Sequence, residues 1–337
     1  MSKTAVKVER VAGSPEELAL LGGIVDHPTD DAGRLVYADW LEERGDARGP
    51  LLRRFAEGHR SKKPLPPLEG VPVAWADLTG LTIMAKVAEC GLRRWRDELL
   101  ALARPALRLE APEANFDDPP PPPAALGTTR LGGDPDLPAG ASYPTAADGV
   151  PLHFIGQFDL ADLQGTVAGR AFPRTGLLSI FRPRSEDGVT CNFAFADFPR
   201  LVQFAPPGAR LSRLPRPTVP TDRPAPFRPG LRLAEALRLP GEFRHWPGVT
   251  LSDEQVSRLD KVFPTNLGGT AYVLLGHVTH GNTGEEPLKD RPDWAQLVLV
   301  PYFEGPDYGV TDASLSYHLP AADLKAGRFD RLEATFG

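Results

Sequence analysis

Apolar positions recur at helical spacing through the first hundred residues and at strand spacing after about residue 150. Ser14-Pro15-Glu16-Glu17 reads as a helix start: Ser14 caps, Pro15 suits the first turn, and Glu17 completes a capping box. Leu18, Leu21 and Val25 then share one face, although Gly22-Gly23 costs this helix about 1 kcal/mol per glycine. A second helix starts at Asp30 or Asp31, whose charge suits a helix N-terminus. Val36/Trp40 and Tyr37/Leu41 are apolar pairs four residues apart, and Gly45 supplies a left-handed stop. A third helix, LLRRFAE, follows Pro50 and ends at Gly58. LTGLTIMAKVAEC runs to Gly91, and Trp95, Leu99 and Leu102 keep helical spacing as far as Pro105. Residues 14–104 therefore read as helical.

Beyond residue 150 the period shortens to two. Leu152, Phe154, Phe158 and Leu160 share a face that Gly156 interrupts, which predicts a bulge. VTCNFAFA places Val189, Cys191, Phe193 and Phe195 opposite polar or small residues, the cleanest half-buried strand pattern in the chain. GLLSIF, AYVLLGHV, WAQLVLVPYF and SLSYHL add strands, and WAQLVLV, apolar on both faces, predicts an interior one. One helix lies among them. Ser252 and Gln255 form a capping box, Leu251 and Val256 a staple, and Val256, Leu259 and Phe263 a buried face. Eight prolines between Ala205 and Gly230 predict an irregular crossing loop.

The two textures meet at Asp117-Asp118 and the five prolines Pro119 to Pro123, a stiff polyproline spacer. The expected fold class is α+β. A small all-helical N-terminal module (1–115) is joined by a proline-rich linker (116–124) to a mainly antiparallel, β-rich α+β domain (125–337).

Two family resemblances follow from particular runs. Asp31 to Gly49, DAGRLVYADWLEERGDARG, nearly reproduces the hallmark of the short bacterial repeat-companion domain, so residues 15–57 resemble that module. It accompanies other modules and implies no catalytic role. LGGDPDLPAGASYPTAADGVPLHFIGQFDLADL, GLLSIFRP, LLGH and TDASLSYHLPAADLKAGRFDRL occur in the order of the YwqG-like family, so residues 124–337 are similar to that uncharacterised bacterial α+β domain. The chain departs from the family where Tyr272 replaces a common His, and where His277-Val278-Thr279-His280 replaces a Y-P-D-x-x-Q run. The resemblance implies no particular activity.

Composition narrows the function. The net charge of −6 is shared evenly on either side of Asp118, so neither part has the basic footprint that duplex nucleic acid demands. Two cysteines, Cys90 and Cys191, make neither a disulfide framework nor a four-thiolate zinc site. No run of about 18 apolar residues predicts a membrane span, and the first residues lack a signal-peptide apolar core. The expectation is a cytoplasmic protein without membrane association.

Five groups of residues bear on chemistry. His277, His280, Glu285, Glu286 and Asp290 crowd into a short segment of metal-ligating types, though on a strand His277 and His280 would point to opposite faces. A metal ion would need them to converge within about 2.0–2.3 Å of it. Arg130-Leu131-Gly132-Gly133 and Leu267-Gly268-Gly269-Thr270 offer backbone amides to an anion, but glycine as a turn former explains both. Cys191 falls on an apolar strand face and Cys90 at a helix end, neither placed for a lowered thiol pKa. Asp39, Glu42, Glu43 and Asp46 form an acidic surface suited to a basic partner rather than a catalytic pair. Arg93, Arg94 and Arg96 around Trp95 are the minimum of an RNA-binding cluster, diluted by Asp97 and Glu98.

These residues support a non-catalytic reading. The chain is expected to be a protein-binding module, toxin-neutralising or adaptor-like, with Asp39, Glu42 and Glu43 as partner contacts and no cofactor. Two alternatives stay open: a metal-assisted hydrolase using His277, His280 and Glu285, and a small-ligand sensor with its site in a cleft of the β domain.

Overall fold

The computed structural model describes residues 6–58, 64–110, 124–183, 198–217, 231–240, 250–263, 272–277, 288, 290–300 and 315–336. The fold is α+β. Six helices open it: α1 (Pro15–Asp26), α2 (Asp31–Glu42), α3 (Arg48–Gly58), α4 (Val73–Leu78), α5 (Leu81–Glu89) and α6 (Arg96–Leu102). Two more follow, α7 (Asp253–Val262) and α8 (Ala321–Ala326).

The strands are β1 (Lys7–Glu9), β2 (Arg104–Glu110), β3 (Arg130–Leu131), β4 (Asp136–Pro138), β5 (His153–Asp159), β6 (Leu177–Arg182), β7 (Val202–Ala205), β8 (Leu211–Arg213), β9 (Arg232–Arg238), β10 (Tyr272–Leu275), β11 (Trp294–Val300), β12 (Leu315–Pro320) and β13 (Glu333–Phe336). A seven-stranded sheet has the order β1-β9-β2-β10-β11-β12-β13, a second sheet the order β3-β5-β6-β7, and β4 pairs with β8. All these pairings are antiparallel except β1 with β9.

The helical reading stops at Ala103. Arg104 begins β2, which runs between β9 and β10, and β1 precedes α1. Two strands N-terminal to the prolines thus belong to the large sheet. In β2, Leu107 and Leu109 are buried on either side of exposed Arg108, a period-two signal that immediately follows a helical run. WAQLVLV is an interior strand as expected, and the bulge at Gly156 is present as a register shift between Phe154 and Gly156. VTCNFAFA lies outside the described residues.

Leu107, Leu109, Leu233, Leu274, Val298 and Tyr317 of the large sheet pack against Phe154, Phe158, Leu178 and Phe181 of the second in one core. The helices form another core around Leu21, Tyr37, Leu41, Phe55, Trp75, Leu81 and Leu99, which takes in Leu237, Leu239, Val256 and Leu259 from beyond the prolines. Each such side chain contributes about 1.5–3 kcal/mol on burial.

Local chemistry fixes the helix ends. In α7 the capping box forms in both directions, Ser252 Oγ accepting from Gln255 N at 3.3 Å and Gln255 Oε1 from Ser252 N at 2.9 Å. In α1, Ser14 Oγ accepts from Glu17 N, but Glu17 reaches back to Gly13 N rather than Ser14. Its other oxygen accepts from Tyr37 Oη at 2.6 Å and from Arg48 at 3.2 Å, so the buried carboxylate joins three helices. Asp30 caps α2, which frees Asp31 to pair with Arg34 and Arg96. Arg34 is fully buried and donates to the carbonyls of Thr79, Pro28 and Asp30. Gly49 lets α3 meet α2, since a Cβ there would lie 2.6 Å from Glu42 Cγ and 2.9 Å from Ala38 O.

Candidate functional site

Four alternate cross-strand pairs of β2 and β9 place eight residues on one face of the large sheet: Arg104 opposite Arg238, Ala106 opposite Ala236, Arg108 opposite Ala234, and Glu110 opposite Arg232. The alanines make a shallow floor and the arginines stand at its ends. Val273 of β10, paired with Arg108, extends the same face beside Ala106. The helix α4 packs against β9, and a cavity of about 410 Å³ opens between them. That is at the small end of the ~300–1,000 Å³ range of small-molecule pockets. Charged residues in its lining are Glu9, Asp77, Lys86, Arg108, Arg232, Glu235 and Arg238, of which Glu235 directs its carboxylate to the opposite face of β9. Apolar groups come from Val73, Leu239, Pro240 and Phe263.

Most of these cations are committed. Arg232 pairs with Glu9 and, at 3.2 Å, with Glu110; Arg108 also pairs with Glu110. Lys86 Nζ lies 4.9 Å from the centre of the Phe263 ring. Arg238 differs. Burial pulls its guanidinium down to about 10, Arg108 pushes in the same direction, and no acidic group among the described residues opposes them. Its cross-strand neighbour Arg104 carries the same charge, an arrangement that costs stability unless an anion is shared. Burial raises the Asp77 carboxyl above the usual range against the pull of Thr82, Lys86 and Arg108. Chemically, the cavity offers a directional cation above an apolar floor, suited to receiving an anion.

On the opposite face of β9, Glu235 is buried. Its Oε1 accepts from Val167 N at 2.5 Å and Ala168 N at 3.4 Å, where a short 3-10 turn (Ala168–Ala171) begins. Burial raises this carboxyl to about 7 despite those amides and that of Val11, and its Oε2 has no hydrogen-bond partner among the described residues. The turn is also tied to α1: Arg170 pairs with Asp26 at 3.0 Å, and its guanidinium passes over Gly22. The glycine that weakens α1 leaves room for that approach.

A third polar centre surrounds Asp136, which is fully buried. Arg130 Nη1 donates to it at 2.8 Å, Arg213 Nε at 2.8 Å and Gln157 Nε2 at 2.9 Å. Burial alone would raise the carboxyl; the hydrogen bonds from Arg213, Arg130 and Gln157 outweigh it and bring it to about 2. Every strong donor is spent on a protein acceptor, so the centre is a staple joining β3, β4, β5 and β8.

The residues singled out in the sequence are dispersed. His277 is buried two residues beyond β10, its Nε2 against the carbonyl of Leu102. Asp290 is exposed, and His280, Glu285 and Glu286 lie outside the described residues. Among the described residues, no three His, Cys, Asp or Glu side chains converge as a metal site would require. Asp39 and Glu42 both pair with Arg53 of α3, so their charge is answered within the chain, whereas Glu43 is largely exposed. Arg96 belongs to the buried Asp31 cluster rather than to a basic surface. Cys90 is buried, donates to Arg258 O at 3.5 Å and has its thiol pKa raised by burial; Cys191 and residues 267–270 lie outside the described residues. Arg130 of the proposed amide cradle turns inward to Asp136, and Gly132 N is spent on Ile155 O.

The arginine–alanine ladder escaped the sequence reading. Arg104, Ala106 and Arg108 alternate, and so do Arg232, Ala234, Ala236 and Arg238, but only the register between the two strands brings them together.

Among the described residues, no helix is long and apolar enough to cross a membrane. No curated protein matches the chain. A family profile described as a domain of unknown function, DUF1963, matches residues 129–213, the span from β3 to β8 that carries the whole Asp136 staple.

Proposed function

We propose that the chain is a non-catalytic binding protein that holds an anionic group in the cavity between α4 and the β2–β9 face. The observation that supports this reading is Arg238, a largely buried guanidinium in the cavity wall with a second arginine across from it and no acidic partner among the described residues. A buried cation costs several kcal/mol unless an opposite charge answers it. In this reading the protein-binding role takes a concrete form: the group recognised is either a free ligand or an anionic group presented by a partner. The similarity of residues 15–57 to repeat-companion modules fits an accessory role for the helices. The similarity of residues 124–337 to YwqG-like domains and a cytoplasmic setting belong to the same proposal.

The test is a thermal-shift screen of the full chain at low salt against phosphate, sulfate, acetate and citrate, followed by NMR of the ligand after prolonged incubation. A stabilising anion recovered unchanged is the expected result. If none shifts the transition, the cavity reading falls; if the ligand is converted, the non-catalytic part falls.

A further inference from the structure

We infer that the ligand of this cavity is a monocarboxylate carrying a short apolar body, with the carboxylate on Arg238 and the apolar part over the alanine floor. The inference rests on the anion-binding reading above and names its ligand class. Three observations carry it.

The first is charge. Of the cations lining the cavity, Arg232 and Arg108 are held by Glu9 and Glu110, and Lys86 lies against Phe263. Arg238 remains as the lining cation without such a commitment among the described residues. One guanidinium answers one negative charge, and its planar fork matches the two oxygens of a carboxylate. A phosphate dianion would bring a second charge and would have to compete with Glu9, Glu110 and Asp77 for cations already engaged.

The second is the surface beside Arg238. Ala236 and, at its edge, Ala234 present methyl groups where larger side chains would fill the space, with Ala106 fully buried beside them, and Val73, Leu239, Pro240 and Phe263 complete the apolar lining. Val73 is 74% exposed at the start of α4 and lines the same cavity. A ligand with an apolar group would cover it; inorganic phosphate would not.

The third is size. A cavity of about 410 Å³ is large enough for a small acid or the last residue of a peptide. The shared chemistry is a carboxylate next to an apolar group, supplied either by a free acid or by a chain terminus.

The experiment is calorimetric titration of the full chain at low salt with phenylacetate, hexanoate, inorganic phosphate, a short peptide ending in free leucine, and the same peptide as its C-terminal amide. Binding of an apolar carboxylate at least tenfold tighter than phosphate is expected, with at least a tenfold loss in the amide. Tighter binding by the free acids identifies a small-molecule ligand, and tighter binding by the peptide a chain terminus. Arg238→Met should weaken binding at least tenfold. Ala236→Leu should do the same by filling the floor while keeping the charge, so the inference stays testable if one variant fails to fold. Phosphate binding that depends on Arg238, without carboxylate binding, overturns this inference and leaves the anion-binding reading standing. Absence of binding by every probe overturns both.

Discussion

Replacing Arg238 by methionine should make the protein more stable, the opposite of what removing a large, mostly buried side chain usually does. Methionine keeps most of the aliphatic stem and deletes only the guanidinium. Among the described residues that guanidinium makes no ion pair, and burial brings it from its ordinary value down to about 10. At 1.36 kcal/mol per pH unit, the charged form costs the fold about 3 kcal/mol. The neighbouring like charge of Arg108 is part of that penalty. Some of the cost returns as imperfect packing of the thioether, so the expected net gain is on the order of 1–2 kcal/mol. For a chain of this size that corresponds to a rise of about 1–3 °C in the melting temperature. The assay is thermal unfolding of both proteins by circular dichroism, after dialysis against a buffer free of carboxylates and phosphate. A fall of 3 °C or more in the variant would refute the reasoning, because it would mean that Arg238 is already answered by an anion in the ligand-free protein. A saturating ligand should reverse the order, stabilising the wild type by mass action and leaving the variant unchanged.

Glu235 contributes a pH dependence of definite sign. Its carboxyl titrates near 4.5 when unfolded and at about 7 in the fold, so its contribution is complete below pH 4.5 and is lost as pH rises through 7. Glu235→Gln should remove that slope, by up to about 3 kcal/mol between pH 4.5 and 8, measured by urea unfolding at each pH. Asp136 has the reverse sign: held at about 2 against an ordinary 3.8, it stabilises above pH 3.8, and that contribution is lost as pH falls through 2. Asp136→Asn should cost about 3–5 kcal/mol in urea unfolding at pH 7 by leaving Arg130 buried and uncompensated. Gly156→Ala should also destabilise, by about 1–3 kcal/mol in the same assay, because its Cβ would meet Arg130 O at 2.7 Å beside the bulge.

What could be read from the sequence was local. The Ser252–Gln255 box, the Gly45 helix end and the bulge at Gly156 each depend on residues within a few positions of one another, and each is present in the fold. The strand β2 was hidden because RPALRLE is short and follows a helical run without a glycine. The Asp136 staple was hidden for another reason. Its members Arg130, Gln157 and Arg213 are separated by up to 83 positions, and nothing in the type of any one of them marks it as buried. Asp31 shows where local reasoning leaves a choice open. A helix-capping role suited Asp30 or Asp31 alike; Asp30 caps the helix while Asp31 enters an ion pair with Arg96, 65 residues away. The cavity combines both difficulties, since its arginines look like ordinary surface charges until strand register sets them face to face.

The position of β2 in the middle of the large sheet bears on how this protein can be divided. The run of five prolines looks like the natural place to cut. Cleavage and separation there would strip β9 and β10 of the strand between them and leave two new edges of unpaired amides and carbonyls, the arrangement that invites aggregation. The N-terminal piece would carry β2 away with no sheet to join. The two halves should therefore be insoluble when produced separately and recover when produced together, as fragments that complement each other rather than as independent modules. A recombination event that swapped the helical segment alone would have to bring a compatible β2 with it.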